Sequence, residues 1–122
     1  LVNNYLDPKG VFIFDMNTEY KFREVLGQKV FGAAEEAAAY IWENDYDEEE
    51  KINEYYVSFF IEQENGLYER VEEYHYERAY SIEEIEQTLQ AAGLALLEVT
   101  DGYSFAKPHE KSERLLFAAR LK

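Results

Sequence analysis

The chain has 122 residues, the length of one ordinary domain, and its 47% hydrophobic and 16% aromatic content is too rich for a disordered acidic tail. Twelve basic against 26 acidic residues leave a net charge of −14, a field that repels phosphate and so argues against nucleic-acid and anionic-membrane surfaces. Zero cysteines exclude disulfides and thiolate metal sites and fit a cytoplasmic protein, and no apolar run approaches the ~18 residues of a membrane span.

The chain opens Leu1-Val2-Asn3-Asn4 without a Met, and Val2, Tyr5 and Leu6 fall at helical spacing. This segment reads as the last turns of a helix whose start lies in a longer chain. Asp7-Pro8-Lys9-Gly10 is a turn, with Pro presetting one φ and Gly free to take a positive one. Val11 to Phe14 is a continuous apolar run ended by Asp15, the pattern of a strand buried on both faces of an α/β sheet. Asn17 or Thr18 suits the cap of a short following helix, and Gly27 its end.

From Ala33 the character changes. Ala33 to Ala39 is an Ala/Glu-rich segment, either helical or a lead-in. Tyr40 to Tyr80 alternates and is aromatic, with Tyr40, Trp42, Asn44 and Tyr46 on one side of a strand. The acidic run Asp45 to Glu50 turns the chain, and strands are predicted at about Ile52–Glu62 and Tyr68–Tyr80. Asn65-Gly66 between them signals a two-residue type I′ hairpin. That turn sets Val57 opposite Tyr74, Tyr55 opposite Tyr76, Tyr56 opposite His75 and Phe60 opposite Val71. The expectation is a three-stranded antiparallel meander with one aromatic face.

Ser81-Ile82-Glu83-Glu84 carries a capping-box pattern, and Ile82, Ile85, Leu89 and Ala92 form the apolar stripe of the helix it opens. Gly93 ends that helix in a left-handed cap. Strands are predicted at Leu94–Thr100 and Arg114–Arg120, joined by a loop over Asp101–Ser112 that carries Tyr103, Phe105, Pro108 and His109.

The segment Leu6-Asp7-Pro8-Lys9-Gly10-Val11-Phe12-Ile13-Phe14-Asp15 resembles the surroundings of the fifth strand in class I S-adenosylmethionine-dependent methyltransferases. There a helix end and Leu-x-Pro-Gly-Gly precede an apolar strand; here Lys9 replaces the first paired glycine. Ala92-Gly93-Leu94 after an amphipathic helix, then strand, loop and closing strand, is similar to the end of that fold. Asp15 to Lys21, Trp42-Glu43-Asn44 and Ser112-Glu113-Arg114 resemble a bacterial subgroup that inserts an antiparallel sheet after the fifth strand. The resemblance covers nearly the whole chain, but only the C-terminal part of such an enzyme. It implies an α/β fold, α+β in isolation. The last three strands of a Rossmann-like mixed sheet would come from 1–32 and 81–122, with an antiparallel lid inserted at 33–80. It also implies S-adenosylmethionine as cofactor of the complete enzyme. The family's Gly-rich cofactor loop has no counterpart here, so no cofactor-binding residue is assigned and the chain alone is expected not to bind the cofactor.

Six residues are candidates for substrate contact. Asp15 and Asn17 follow the apolar run, at the end of a strand where ligands of open α/β sheets bind; equally, Asn17 is a helix cap and Asp15 a loop acid. Tyr20 follows them on the same segment. Trp42 belongs to an aromatic set with Tyr40, Tyr55, Tyr56, Tyr74 and Tyr76, which is either a lid over a flat ligand or the meander's own core or interface. The resemblance makes the meander a substrate-facing surface. There His75 could take a proton and Arg78 could bind a carboxylate or phosphate. Their opposite parity places them on different faces of a regular strand, and an exposed His with an Arg paired to a local Glu such as Glu54 or Glu77 is the competing account. No catalytic base is identified. No metal site is assigned: in Asp45-Tyr46-Asp47-Glu48-Glu49-Glu50 the glycine that an EF-hand loop needs at its sixth position is Glu50. The methyl acceptor is left open, and self-association through the apolar strand at Val11–Phe14 is expected. The alternative is a stand-alone acidic ligand- or protein-binding module.

Overall fold

The apolar run forms β1 (Phe12–Asn17) in the computed structural model, which describes residues 1–122. β1 continues through Asp15 to Asn17, so these two residues close the strand rather than follow it. A short helix α1 (Val2–Tyr5) precedes it, and a single π-helical segment, Lys21–Leu26, follows. Thr18, not Asn17, caps that segment: its Oγ1 accepts from the Lys21 amide at 3.1 Å. Gly27 ends the segment through close approach, not a left-handed φ. A Cβ there would lie 2.6 Å from the Phe22 carbonyl oxygen, and Gln28 carries the positive φ of 57°.

Strands β2 (Val30–Ala34), β3 (Ala38–Asp47), β4 (Ile52–Glu62) and β5 (Tyr68–Arg78) form a four-stranded antiparallel meander in chain order. The Ala-rich segment is therefore the β2–β3 hairpin, with Glu35 donating its amide to the Ala38 carbonyl at 2.8 Å. The β4–β5 register differs by one residue from that expected. Tyr56 faces Tyr74, Tyr55 faces His75 and Phe59 faces Val71. The cause lies in the turn. Only Gly66 takes a positive φ (81°), whereas type I′ needs one at both central residues. Instead the Gly66 amide donates to Gln63 O at 3.0 Å and the Gln63 amide to Leu67 O at 2.7 Å. A type I turn followed by a left-handed glycine makes a three-residue loop, which moves every partner on β5 by one and exchanges its faces.

The last part holds α2 (Ile82–Ala91), β6 (Leu94–Asp101) and β7 (Arg114–Leu121). Ser81 caps α2 with both halves of the capping box, and Gly93 follows at φ 80°. β7 lies between β1 and β6 and is antiparallel to both, so β1 and β6 run the same way. Alternate residues Phe12, Phe14 and Met16 pack with Leu115, Phe117 and Ala119, and α2 covers them through Ile85 and Leu89. Phe14 and Phe117 are cross-strand partners with stacked rings, centroids 5.0 Å apart. The other face is open: Ile13 is 60% exposed, so β1 is buried on one face rather than two.

The chain divides into two compact units, one of residues 1–21 and 79–122 and one of residues 22–78. The second carries sixteen acidic against five basic residues, so most of the net charge sits there. The first is the three-stranded antiparallel sheet with α1 and α2. The second is the meander, whose buried set includes Phe22, Leu26, Tyr46 and Tyr55.

Candidate functional site

At the end of β1, Asp15 and Asn17 point to one face, and the register sets Arg114 of β7 opposite Asn17. The Arg114 guanidinium spans both. Nη1 lies 3.1 Å from Asp15 Oδ2, and Nη2 donates to Asn17 Oδ1 at 3.2 Å. The Tyr103 hydroxyl donates to the same Asp15 oxygen at 2.8 Å. Tyr103 reaches it because β6 ends in a 3₁₀ turn, Gly102–Ser104, where Gly102 takes φ 55° against the Arg114 carbonyl. Thr100 Oγ1 donates to Gly102 O at 2.8 Å and Ser104 Oγ to Asp101 O at 2.6 Å, which fixes the turn.

The Tyr103 hydrogen bond, and after it the Arg114 guanidinium, hold the Asp15 carboxyl below its ordinary range. The same carboxylate pushes the Tyr103 phenol up. Asp15 is thus a fixed anion and a poor proton acceptor near neutrality. In the loop after β6, His109 Nε2 lies 3.2 Å from Asp101 Oδ2, while His109 Nδ1 accepts the Lys111 amide at 3.2 Å. That pairing assigns the proton to Nε2 and leaves neither nitrogen free as a base. Thr18 Oγ1 donates to Ser112 O at 2.6 Å, and Lys21 pairs with Glu113 at 2.9 Å, so the 102–113 loop is tied to the end of β1. Tyr20 is half-buried in the helical residues that follow β1. Arg114 and Tyr103 were not among the sequence candidates. Only the cross-strand register brings them to Asp15, and no local pattern marks it.

Trp42, His75 and Arg78 belong to the second unit. The Trp42 ring lies between Phe31 (5.0 Å) and Tyr55 (5.6 Å), and its Nε1 is buried with no hydrogen-bond partner. His75 shares that face through its partner Tyr55, and its Nε2 is 3.1 Å from Glu73. Arg78 lies on the opposite face of β5, as its parity requires. That opposite face bears a groove of about 340 Å³ lined by Val30, Glu43, Asp45, Glu54, Tyr56 and Tyr74. The two tyrosine rings stack at 4.7 Å. The Asp45–Glu50 turn binds its own backbone: Asp47 Oδ1 accepts from the Glu49 and Glu50 amides. No group of three His, Cys, Asp or Glu side chains is arranged to hold a metal ion, and no helix is long and apolar enough to cross a membrane.

No family model matches the chain. "Putative methyltransferase YqeM" of Bacillus subtilis (strain 168) is 34% identical over 116 residues, 94% of this chain and 46% of that protein. A Geobacillus sp. (strain WCH70) protein, "Putative methyltransferase GWCH70_2453", is 31% identical over 115 residues, 94% of this chain and 47% of its own length. The crystal structure of an S-adenosylmethionine-dependent methyltransferase from Clostridium acetobutylicum ATCC 824 superposes with a TM-score of 0.86 at 38% identity, covering 98% of this chain and 48% of that one. The CcbJ methyltransferase of Streptomyces caelestis shares the fold at a TM-score of 0.73 and 17% identity, over 98% of this chain and 46% of its own. The chain spans about half the length of the curated relatives it matches, and its match to the solved methyltransferase structures lies in their C-terminal half.

Proposed function

We propose that this chain, a homologue of the C-terminal half of S-adenosylmethionine-dependent methyltransferases, supplies the acceptor-side wall and lid of such an enzyme. The observation that supports the methyltransferase reading is the 34–38% identity, over nearly the whole chain, to proteins of that description; the wall and lid are our assignment. The residues present do not fit the cofactor. The helical segment after β1 is opened by Thr18, and the 3₁₀ turn after β6 holds a single glycine, Gly102; neither is a glycine-rich turn that opens a helix to a ligand. The cofactor cradle is therefore assigned to the other half of the enzyme.

Within this chain, Asp15, Asn17 and Tyr20 form the wall and Trp42, His75 and Arg78 belong to the lid. The placement of Asp15 and Asn17 on one face at the carboxyl end of β1, bridged there by Arg114, supports the wall. The wall's task is to hold the acceptor's nucleophilic atom in line for attack, the step in which positioning supplies most of the rate. A depressed Asp15 and a doubly engaged His109 leave the acceptor to arrive as its own nucleophile.

The test uses the full-length protein and radiolabelled S-adenosylmethionine with a panel of amine, carboxylate and phenol acceptors. Transfer of label supports the proposal, and none with any class refutes it. Calorimetric titration of the 122-residue chain is expected to show no cofactor binding; micromolar binding would overturn the assignment of the cradle. A stand-alone acidic binding module is the alternative. The concentration of negative charge on residues 22–78 and the carboxylate-lined tyrosine groove favour it. Full-length protein that transfers no methyl group while the chain alone captures cationic partners would select it.

A further inference from the structure

We infer that Arg114 recognises an oxyanion, carboxylate or phosphate, on the methyl acceptor; this rests on the wall assigned above. Arg114 is the one cation that the three-stranded sheet holds in a fixed orientation at the carboxyl end of β1. Two anchors on the neighbouring strand, Asp15 at 3.1 Å and Asn17 at 3.2 Å, set the plane of its guanidinium. Those anchors use one N–H of Nη1 and one of Nη2. The Nε–H and the second N–H of each terminal nitrogen have no acceptor in the structure, and the side chain is 47% exposed. A planar fork with donors in reserve matches an oxyanion that accepts two parallel hydrogen bonds.

The surroundings sharpen the case. Asp15 Oδ2 accepts from Tyr103 as well as meeting Arg114, so its charge is divided between two donors and does not fully screen the guanidinium. The Tyr103 ring, 68% exposed, gives the fork an apolar neighbour. Lys21, the basic side chain that follows β1, is already paired with Glu113. A chain of net charge −14 repels anions at long range. An anionic group is therefore held here by short-range, directional donors, which a preorganised arginine supplies and a flexible lysine does not. An ordinary surface ion pair, the competing account, requires no such reserve and binds nothing.

The test is an NMR titration of the isotope-labelled chain with inorganic phosphate and, separately, with benzoate, following the Arg114 Nε–Hε signal. Sodium chloride at matched ionic strength is the control. A saturable shift with phosphate, benzoate or both, absent with chloride, is expected, and the probe that saturates identifies the group. Arg114→Gln should abolish it, Arg114→Lys should weaken it about tenfold by keeping the charge and losing the fork, and Lys107→Gln on the same loop should leave it unchanged. A dispersed amide spectrum establishes that each variant is folded. No saturable shift with either probe, or an equal shift in Arg114→Gln, overturns the inference. Absence of methyl transfer by the full-length protein would instead overturn the enzyme assignment while leaving the titration result standing.

Discussion

Replacing Phe14 and Phe117 by Leu, singly and together, tests how the three-stranded sheet is assembled. The two rings are cross-strand partners, stacked at 5.0 Å with planes 9° apart, and Phe117 is 1% exposed. Truncation of Phe117 to Ala would cost about 3–5 kcal/mol, a dangerous share of a total near 5–15 kcal/mol, so Leu is the better probe. Leu roughly conserves volume, and each single change should cost no more than about 1.5 kcal/mol in packing. The pair also loses its ring–ring term, worth about 0.5–1.5 kcal/mol, and loses it once whichever ring goes. The double variant should therefore be less destabilised than the sum of the singles by about that amount. Urea unfolding followed by far-UV circular dichroism measures it. The single tryptophan, Trp42, lies in residues 22–78 and reports that unit separately by fluorescence. A coupling within the about 0.3–0.5 kcal/mol scatter of independent sites refutes the argument. It would mean that β1 is slipped against β7, because a slip of one residue turns Phe14 out of the core.

Ser81→Ala removes one half of the capping box at the start of α2 and should destabilise the chain by about 1 kcal/mol in the same urea assay; no change would show that the cap is idle. Gly27→Ala, whose Cβ would meet the Phe22 and Arg23 carbonyl oxygens at 2.6 and 2.9 Å, should shift the tryptophan-detected midpoint further than Ser81→Ala, and an equal or smaller shift contradicts the close approach. The Asp15 carboxyl should titrate below an ordinary aspartate by carbon-detected NMR, and Tyr103→Phe should raise its midpoint. Because the folded pKa is the lower one, its contribution to stability is present above the unfolded value of about 3.9 and fades as pH falls through the folded value; an unmoved midpoint in Tyr103→Phe refutes the hydrogen bond. β1 has a strand on one side only and no charge between Val11 and Phe14, so the chain should self-associate in sedimentation velocity, and Ile13→Lys should reduce it. A strict monomer at high concentration counts against that edge.

Local chemistry was legible in the sequence wherever one residue type answers one backbone need. Ser81 and Glu84 marked the start of α2, Gly93 its end, and the β4 and β5 runs their strands. The register between β4 and β5 was not legible, because Asn-Gly serves both a two-residue type I′ turn and the end of a type I turn with a left-handed glycine. The choice is made by Asn65, which keeps a negative φ and lends its Oδ1 to the Leu67 amide at 3.0 Å. β2 escaped because Val30–Ala34 has one half-buried residue, Phe31, and so shows no alternation. At the candidate site the acid and the amide were visible on a single strand. Arg114 and Tyr103 were not, since long-range pairing alone brings them there.

The division of the chain also sets an order of assembly. Residues 22–78 form an uninterrupted segment whose strands pair only with their chain neighbours, so each hairpin closes a short loop. The three-stranded sheet must instead join Phe12 to Ala119, a loop of roughly a hundred residues, and closure entropy grows with loop length. A meander that has already formed replaces much of that loop by a rigid bridge and shortens the free chain left to close. In refolding, the tryptophan signal should therefore recover before β1 meets β7, and proline-substituted hairpins in the meander should slow both events.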